Sequence, residues 1–176
     1  MNKIKQINIF IVEDNKVFAL LLKSDIESAF EEMAIKVHLF ETGEACIKKI
    51  KELKPQVVIL DYHLDSKYPD AANGIEVLDW IKSENPDTNV IMLTNEDNIM
   101  IASMTLKHGA FDYVVKTETT FKKINYSLAN IFKITDAKME TKKYKKYLLS
   151  FLLFIALLAG AVITVHILLP SFFKNW

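Results

Sequence analysis

Short apolar runs rich in β-branched residues recur along the first 115 residues. Ile7–Val12 (INIFIV), Gln56–Leu60 (QVVIL), Val90–Leu93 (VIML) and Phe111–Val115 (FDYVV) are close to continuous, the pattern of strands covered on both faces. Ile35–Phe40 (IKVHLF) alternates more, as expected nearer a sheet edge. Amphipathic stretches lie between the runs. Phe18, Leu21, Leu22, Ile26 and Phe30 fall at helical spacing, as do Ile75, Leu78 and Ile81, and then Phe121, Ile124, Leu128 and Ile131. Thr42, Ala45 and Ile47 open a further helix. Ile99–Lys107 forms another, followed by Gly109 where a C-terminal glycine belongs. The reading is α/β: five strands alternating with five helices, a doubly wound parallel sheet with helices on both faces.

The pattern changes after residue 134. Residues 135–146 carry no apolar face and read as a basic linker, and nothing in them breaks a helix. Tyr147–Leu169 then runs for 23 positions without one Lys, Arg, Asp or Glu. As a helix it would extend about 34 Å, enough to cross a hydrocarbon core of about 30 Å. A transmembrane helix over 147–169 with a short tail, 170–176, is therefore expected. Lys138, Lys142, Lys143, Lys145 and Lys146 on one flank, against Lys174 on the other, keep the first domain cytoplasmic and put the C-terminus outside. Phe172, Phe173 and Trp176 suit the far interface. Ala156, Gly160 and Thr164 form a small-residue row that would let two helices approach closely, allowing a homodimer. The alternative, a buried hairpin helix, lacks a partner segment of similar hydrophobicity. The expected location is the cytoplasmic (inner) membrane, crossed once.

Charge sharpens this division. The chain is neutral overall, but residues 1–134 hold 16 Lys and 20 Asp or Glu, and residues 135–176 hold 6 Lys and 2 Asp or Glu. An acidic domain without a basic face argues against nucleic acid as a partner. Cys46 is the single cysteine, which excludes an internal disulfide and reads as a small buried side chain. Met1–Gln6 is polar and Ile7–Val12 is too short for a signal-peptide core.

In parallel sheets, ligands bind beyond the C-terminal strand ends. The first strand ends at Glu13-Asp14, the third at Asp61, the fourth at Thr94 and the fifth at Lys116. Each side chain alone has an ordinary explanation: a helix cap, a loop hydrogen bond, a turn, a solvated lysine. Together at one sheet edge they make a coherent chemistry. Converging carboxylates repel one another unless a cation lies between them, and an all-oxygen set favours Mg²⁺. A carboxylate can attack phosphorus, while a lysine and a hydroxyl steady the phosphoryl oxygens.

The segments IFIVEDN, VVILDYHL, NGIEVLDWI, VIMLTNED and GAFDYVVK resemble the response-regulator receiver domain of two-component signalling, over 1–134. The resemblance implies a flavodoxin-like sheet of order 2-1-3-4-5. It implies that Glu13, Asp14, Asp61 and the backbone carbonyl of His63 hold Mg²⁺. Asp61 would accept phosphate from a histidine kinase or phosphotransfer protein, with Thr94 and Lys116 gripping the phosphoryl group. Thr94 and Tyr113 would form the switch, and output would be contact with a downstream protein through the last two helices and fifth strand. The domain would be no enzyme beyond its own phosphorylation and dephosphorylation.

Three positions depart from the family pattern. Thr117 stands where proline with a cis bond is usual, DSKYPDAAN reads as an insertion beside the site, and Asn95 follows Thr94 where a small residue is usual. Two other functions compete. A Mg²⁺-dependent aspartyl-phosphate phosphohydrolase would want an acid two residues after the nucleophile, where this chain has His63. A non-phosphorylated pseudo-receiver scaffold would not need the acids and Lys116 that are present.

Overall fold

The computed structural model describes residues 6–64, 72–95 and 97–168. The expected insertion therefore lies outside the described residues over 65–71, as do Leu169 and the 170–176 tail. Strands β1 (Ile7–Val12), β2 (Ile35–Phe40), β3 (Val57–Asp61), β4 (Asn89–Thr94) and β5 (Asp112–Val115) alternate with helices α1 (Lys16–Ala29), α2 (Gly43–Leu53), α3 (Gly74–Glu84), α4 (Ile99–Lys107) and α5 (Thr120–Leu168). The strands form one sheet of order β2-β1-β3-β4-β5. All four pairings are parallel, with registers such as Ile9 opposite Val57 and Thr94 opposite Val115. The flavodoxin-like architecture implied by the sequence is the one observed.

The near-continuous apolar runs are explained by burial on both faces. Every residue of β3 is buried, as are the last four of β1. Phe10, Val12, Val58 and Leu60 point into a core with Cys46 and Ile50 of α2 and Val77, Leu78 and Ile81 of α3. The pleat turns Ile9, Ile11, Val57 and Ile59 to the opposite face, and all are fully buried. β2 and β5, at the edges, are only partly buried, as the alternation in Ile35–Phe40 requires.

Helix ends follow their sequence signals. Asn15 caps α1 by accepting from the Val17 and Phe18 N–H groups, and Thr42 caps α2 at Ala45. Asn73 and Glu76 form a reciprocal capping box at α3. Gly109 ends α4 at φ +93°, with Gly109 N–H on Leu106 O and Ala110 N–H on Thr105 O, the paired bonds of a Schellman turn. Gly74 answers a close approach. A Cβ there would stand 2.7 Å from Asp61 O and 2.6 Å from Tyr62 Cα, so α3 can begin against the loop leaving β3 only through glycine.

The chain divides into two compact units, residues 1–131 and 132–176. The first holds the sheet, α1 to α4 and the start of α5, whose Ile124, Leu128 and Ile131 are buried. In the second, the described residues form the remainder of α5, so residues 135–146 are helical. One helix among the described residues is long and apolar enough to cross a membrane, and the side chains of its apolar segment, Tyr147–Val165, are exposed rather than packed in a core.

Candidate functional site

The site forms where β1, β3 and β5 end together. Parallel pairing carries Glu13 and Asp14, just beyond β1, to the same edge as Asp61 at the end of β3 and Lys116 just beyond β5. One carboxylate oxygen from each of Glu13, Asp14 and Asp61 lies within 4.8 Å of the others. These three side chains, with His63, Asn95 and Lys116, line a cleft of about 540 Å³. Glu13 and Asp61 are 2 % exposed, so their charges are not solvated by bulk water.

Lys116 is the counter-ion. Its Nζ lies 2.8 Å from Glu13 Oε2 and 3.0 Å from Asp61 Oδ2. The Glu13 contact is an ion pair without a well-directed hydrogen bond, and Asp61 Oδ1 is buried with no hydrogen-bond partner among the described residues. Burial, then the Asp61 charge, pushes the Glu13 carboxyl up to about 7, although Lys116 and the Asn15 N–H oppose the shift. Burial alone would weaken the Lys116 ammonium, but Asp61 and Glu13 outweigh it and its pKa rises. The lysine stays charged, and among the described residues it is the cation placed between Glu13 and Asp61. The converging carboxylates and the unpartnered Asp61 oxygen fit an oxygen-liganded divalent cation.

Thr94 closes β4 and is fully buried, outside the set of side chains that line the cleft, and its carbonyl accepts the Lys116 N–H at 2.7 Å. Tyr113, in β5, is half-buried and packs against the core at Met92, its neighbour in register. His63 sits at the cleft wall with its ring edge-on to Tyr62, centroids 4.8 Å apart. Asn95 is exposed at the rim. Every described peptide bond, Lys116–Thr117 included, is trans.

The structure also brings to the cleft residues that periodicity assigns to helix faces. Phe18 falls on the apolar stripe that spacing predicts for α1. It is half-buried at the cleft, its ring centroid 5.0 Å from Lys116 Nζ in a cation–π contact and 5.5 Å from the centroid of the Phe121 ring, the two rings inclined at 67°. Leu21, expected on the same buried face, is 57 % exposed, and Ala19 is buried instead. Thr117 and Thr120 line the far wall. Apolar periodicity cannot mark a threonine as a cleft residue.

The family model of the response regulator receiver domain matches residues 9–125. This chain belongs to the response regulator receiver family. The nitrogen assimilation regulatory protein NtrX of Azorhizobium caulinodans is 24% identical over 139 residues, 79% of this chain and 27% of that protein. The regulatory protein LuxO of Vibrio cholerae is 29% identical over 106 residues, 60% of this chain and 21% of that protein. The chain thus spans about a quarter of the length of these curated relatives. Among solved structures, the signal receiver domain of a putative LuxO repressor protein from Vibrio parahaemolyticus superposes with a TM-score of 0.64 at 28% identity. It covers 76% of this chain and 95% of that one.

Proposed function

We propose that this receiver is a membrane-anchored response regulator, phosphorylated on Asp61 by a histidine kinase or phosphotransfer protein and signalling by protein contact. The observation that carries the reading is the pairing of Asp61 with Lys116 at 3.0 Å in a cleft that also holds Glu13 and Asp14. A buried carboxylate with one free oxygen is a nucleophile, and the ammonium beside it is placed to receive the oxygens of an incoming phosphoryl group.

Transfer forms a bond from an Asp61 oxygen to phosphorus and breaks the bond from phosphorus to the donor's imidazole nitrogen. The imidazole leaves with the electron pair and takes a proton. Glu13, Asp14 and Asp61, with the His63 carbonyl, would hold Mg²⁺, which when bound supplies positive charge to the phosphoryl oxygens. Lys116 moves with its charge from Glu13 toward the phosphoryl oxygens. The Thr94 hydroxyl moves to donate to a phosphoryl oxygen, and the room it vacates lets Tyr113 turn inward, altering the surface of α4, β5 and the start of α5. Ile99 and Met100 on α4, 85 % and 76 % exposed, offer that surface apolar contact area.

The anchor reading rests on Tyr147–Val165, uncharged and exposed along the helix, with lysines on the preceding turns. It places the receiver on the cytoplasmic side of the inner membrane, with α5 crossing once. A linker over 135–146, an anchor over 147–169 and a homodimer through Ala156, Gly160 and Thr164 belong to this same proposal.

The test is chemical. With acetyl phosphate and Mg²⁺ the protein should gain one acid-stable, base-labile phosphoryl group, and Asp61→Asn should abolish it. Undiminished labelling of Asp61→Asn would place the chemistry elsewhere. Thr94→Ala should still accept phosphate but lose the change in hydrogen exchange at α4 and β5.

A further inference from the structure

The residue after Lys116 is a threonine whose backbone N–H is in use. Thr117 N–H donates to Thr120 Oγ1 at 2.6 Å, and the Thr120 hydroxyl in turn reaches Thr117 O at 2.6 Å and Val115 O at 3.4 Å. Val115 O and Thr117 N belong to the two peptide groups that flank Lys116. One buried hydroxyl, on a residue 2 % exposed, therefore holds the backbone after the lysine closely, through Thr117 N–H and O, and shares its single proton weakly with Val115 O before it. The Lys116 N–H is held separately, on Thr94 O at 2.7 Å.

The bond from Thr117 N–H to Thr120 Oγ1 is the backward half of an i, i+3 capping box, but the same hydroxyl also goes on to the carbonyls of Thr117 and Val115. In the turn just before α5, Thr117 Oγ1 accepts from Thr119 N–H at 3.4 Å, and the Thr117 carbonyl accepts from Thr120 N–H, the first of the helix, at 3.1 Å. Thr120 points backward to the loop. Its neighbour Phe121 packs T-shaped against Phe18, whose ring lies over the Lys116 ammonium. The start of α5 thus grips Lys116 at both ends: the backbone through the Thr120 hydroxyl, the ammonium through the aromatic pair.

The geometry points to Thr120 as a positioning residue for Lys116, its hydroxyl setting the loop so that the ammonium reaches Asp61 and Glu13. The inference deepens the function proposed above and rests on it for the meaning of Lys116. Without the hydroxyl, the Thr117 N–H and the two carbonyls lose their shared partner and the loop loosens. A loosened lysine does two opposite things. It steadies the phosphoryl group less well, and it competes less for the oxygens of Glu13 and Asp61 that a divalent cation would use.

The experiment compares Thr120→Val, which keeps the shape and loses the hydroxyl, with Thr120→Ser, which keeps the hydroxyl, in the full-length chain in detergent. Two quantities are read: the rate constant for labelling by acetyl phosphate with saturating Mg²⁺, and Mg²⁺ affinity by calorimetry without phosphodonor. Thr120→Val should label about tenfold more slowly, the worth of one or two lost hydrogen bonds, while binding Mg²⁺ about twofold or more tighter. Thr120→Ser should stay near wild type in both. A general loss of structure would instead weaken both together. If Thr120→Val fails to fold, Thr120→Ala carries the same expectation. Unchanged Mg²⁺ affinity, or a serine variant no better than valine, would overturn the assignment. If wild type itself takes no phosphoryl group, the proposed function fails, and the Mg²⁺ titration alone still decides Thr120.

Discussion

Lys116 Nζ stands 2.8 Å from Glu13 Oε2, so part of the positive charge in this acidic cleft is the protein's own. β1 and β5 are not neighbours in the sheet, and the ion pair spans the ends of β3 and β4 between them. A lysine in that place is a competitor for any metal using the same carboxylates.

Lys116→Met should therefore tighten Mg²⁺ binding, by several-fold to about tenfold, because removing one nearby positive charge relieves repulsion of the dication. Phosphorylation of Asp61 should nevertheless slow steeply, since the methionine cannot meet the phosphoryl oxygens. Calorimetry and a labelling time course check the two halves. Weaker Mg²⁺ binding in the variant would mean that the lysine supports the metal site instead of competing with it.

Glu13 makes stability pH-dependent without metal. Its carboxyl is raised from 4.5 to about 7 in the folded protein. Between those values the native state binds more protons than the unfolded chain, so stability is full below the lower value and falls as pH rises through the upper one. The loss has a ceiling of ~3 kcal/mol. Urea melts in EDTA at pH 5 and pH 8 should show it, and Glu13→Gln should flatten the difference. Equal pH dependence in wild type and variant would assign the effect to other groups.

Cys46 should be silent toward thiol reagents in the native protein. Burial pushes its thiol up to about 12, and the side chain lies in the core between α2 and the sheet. At pH 8 its labelling rate should be at least about a thousandfold below that of the unfolded chain, tracking local opening. Rapid labelling under native conditions would show that α2 leaves the sheet far more readily than its packing implies.

Truncation after Lys146 removes the apolar run but none of the first compact unit, residues 1–131. The shortened protein should be soluble, folded and phosphorylatable, while the full chain should sediment with membranes and resist high-salt extraction. Salt screens the lysines but not burial of the span. A reporter fused after Trp176 should lie on the non-cytoplasmic side. Unfolding on truncation would make Tyr147–Leu169 part of the receiver core and remove the membrane reading.

The five strands, and the side chains that terminate four of them, were legible in the linear pattern. A strand buried on both faces must be apolar along its length, so the first polar residues after such a run mark its end. Glu13, Asp14, Asp61, Thr94 and Lys116 could be named that way because parallel winding leaves all those ends on one edge. The apolar segment after Lys146 was equally legible, because uncharged length is a property of the chain alone.

Which side of α1 faces the sheet was a different matter. Helical spacing defines a stripe, but α1 carries apolar residues around more than one stripe, and docking on β1 and β2 selected Ala19, Leu22 and Ile26 while leaving Val17, Leu20 and Leu21 exposed. Phe18, at the margin of the buried face, became the cover over Lys116. The counter-ion role of Lys116 and the Thr117–Thr120 hydroxyl bridge also required tertiary structure. Charges and hydroxyls have no periodic signature, and their partners are chosen by distances of about 3 Å that only the closed sheet and its loops bring about.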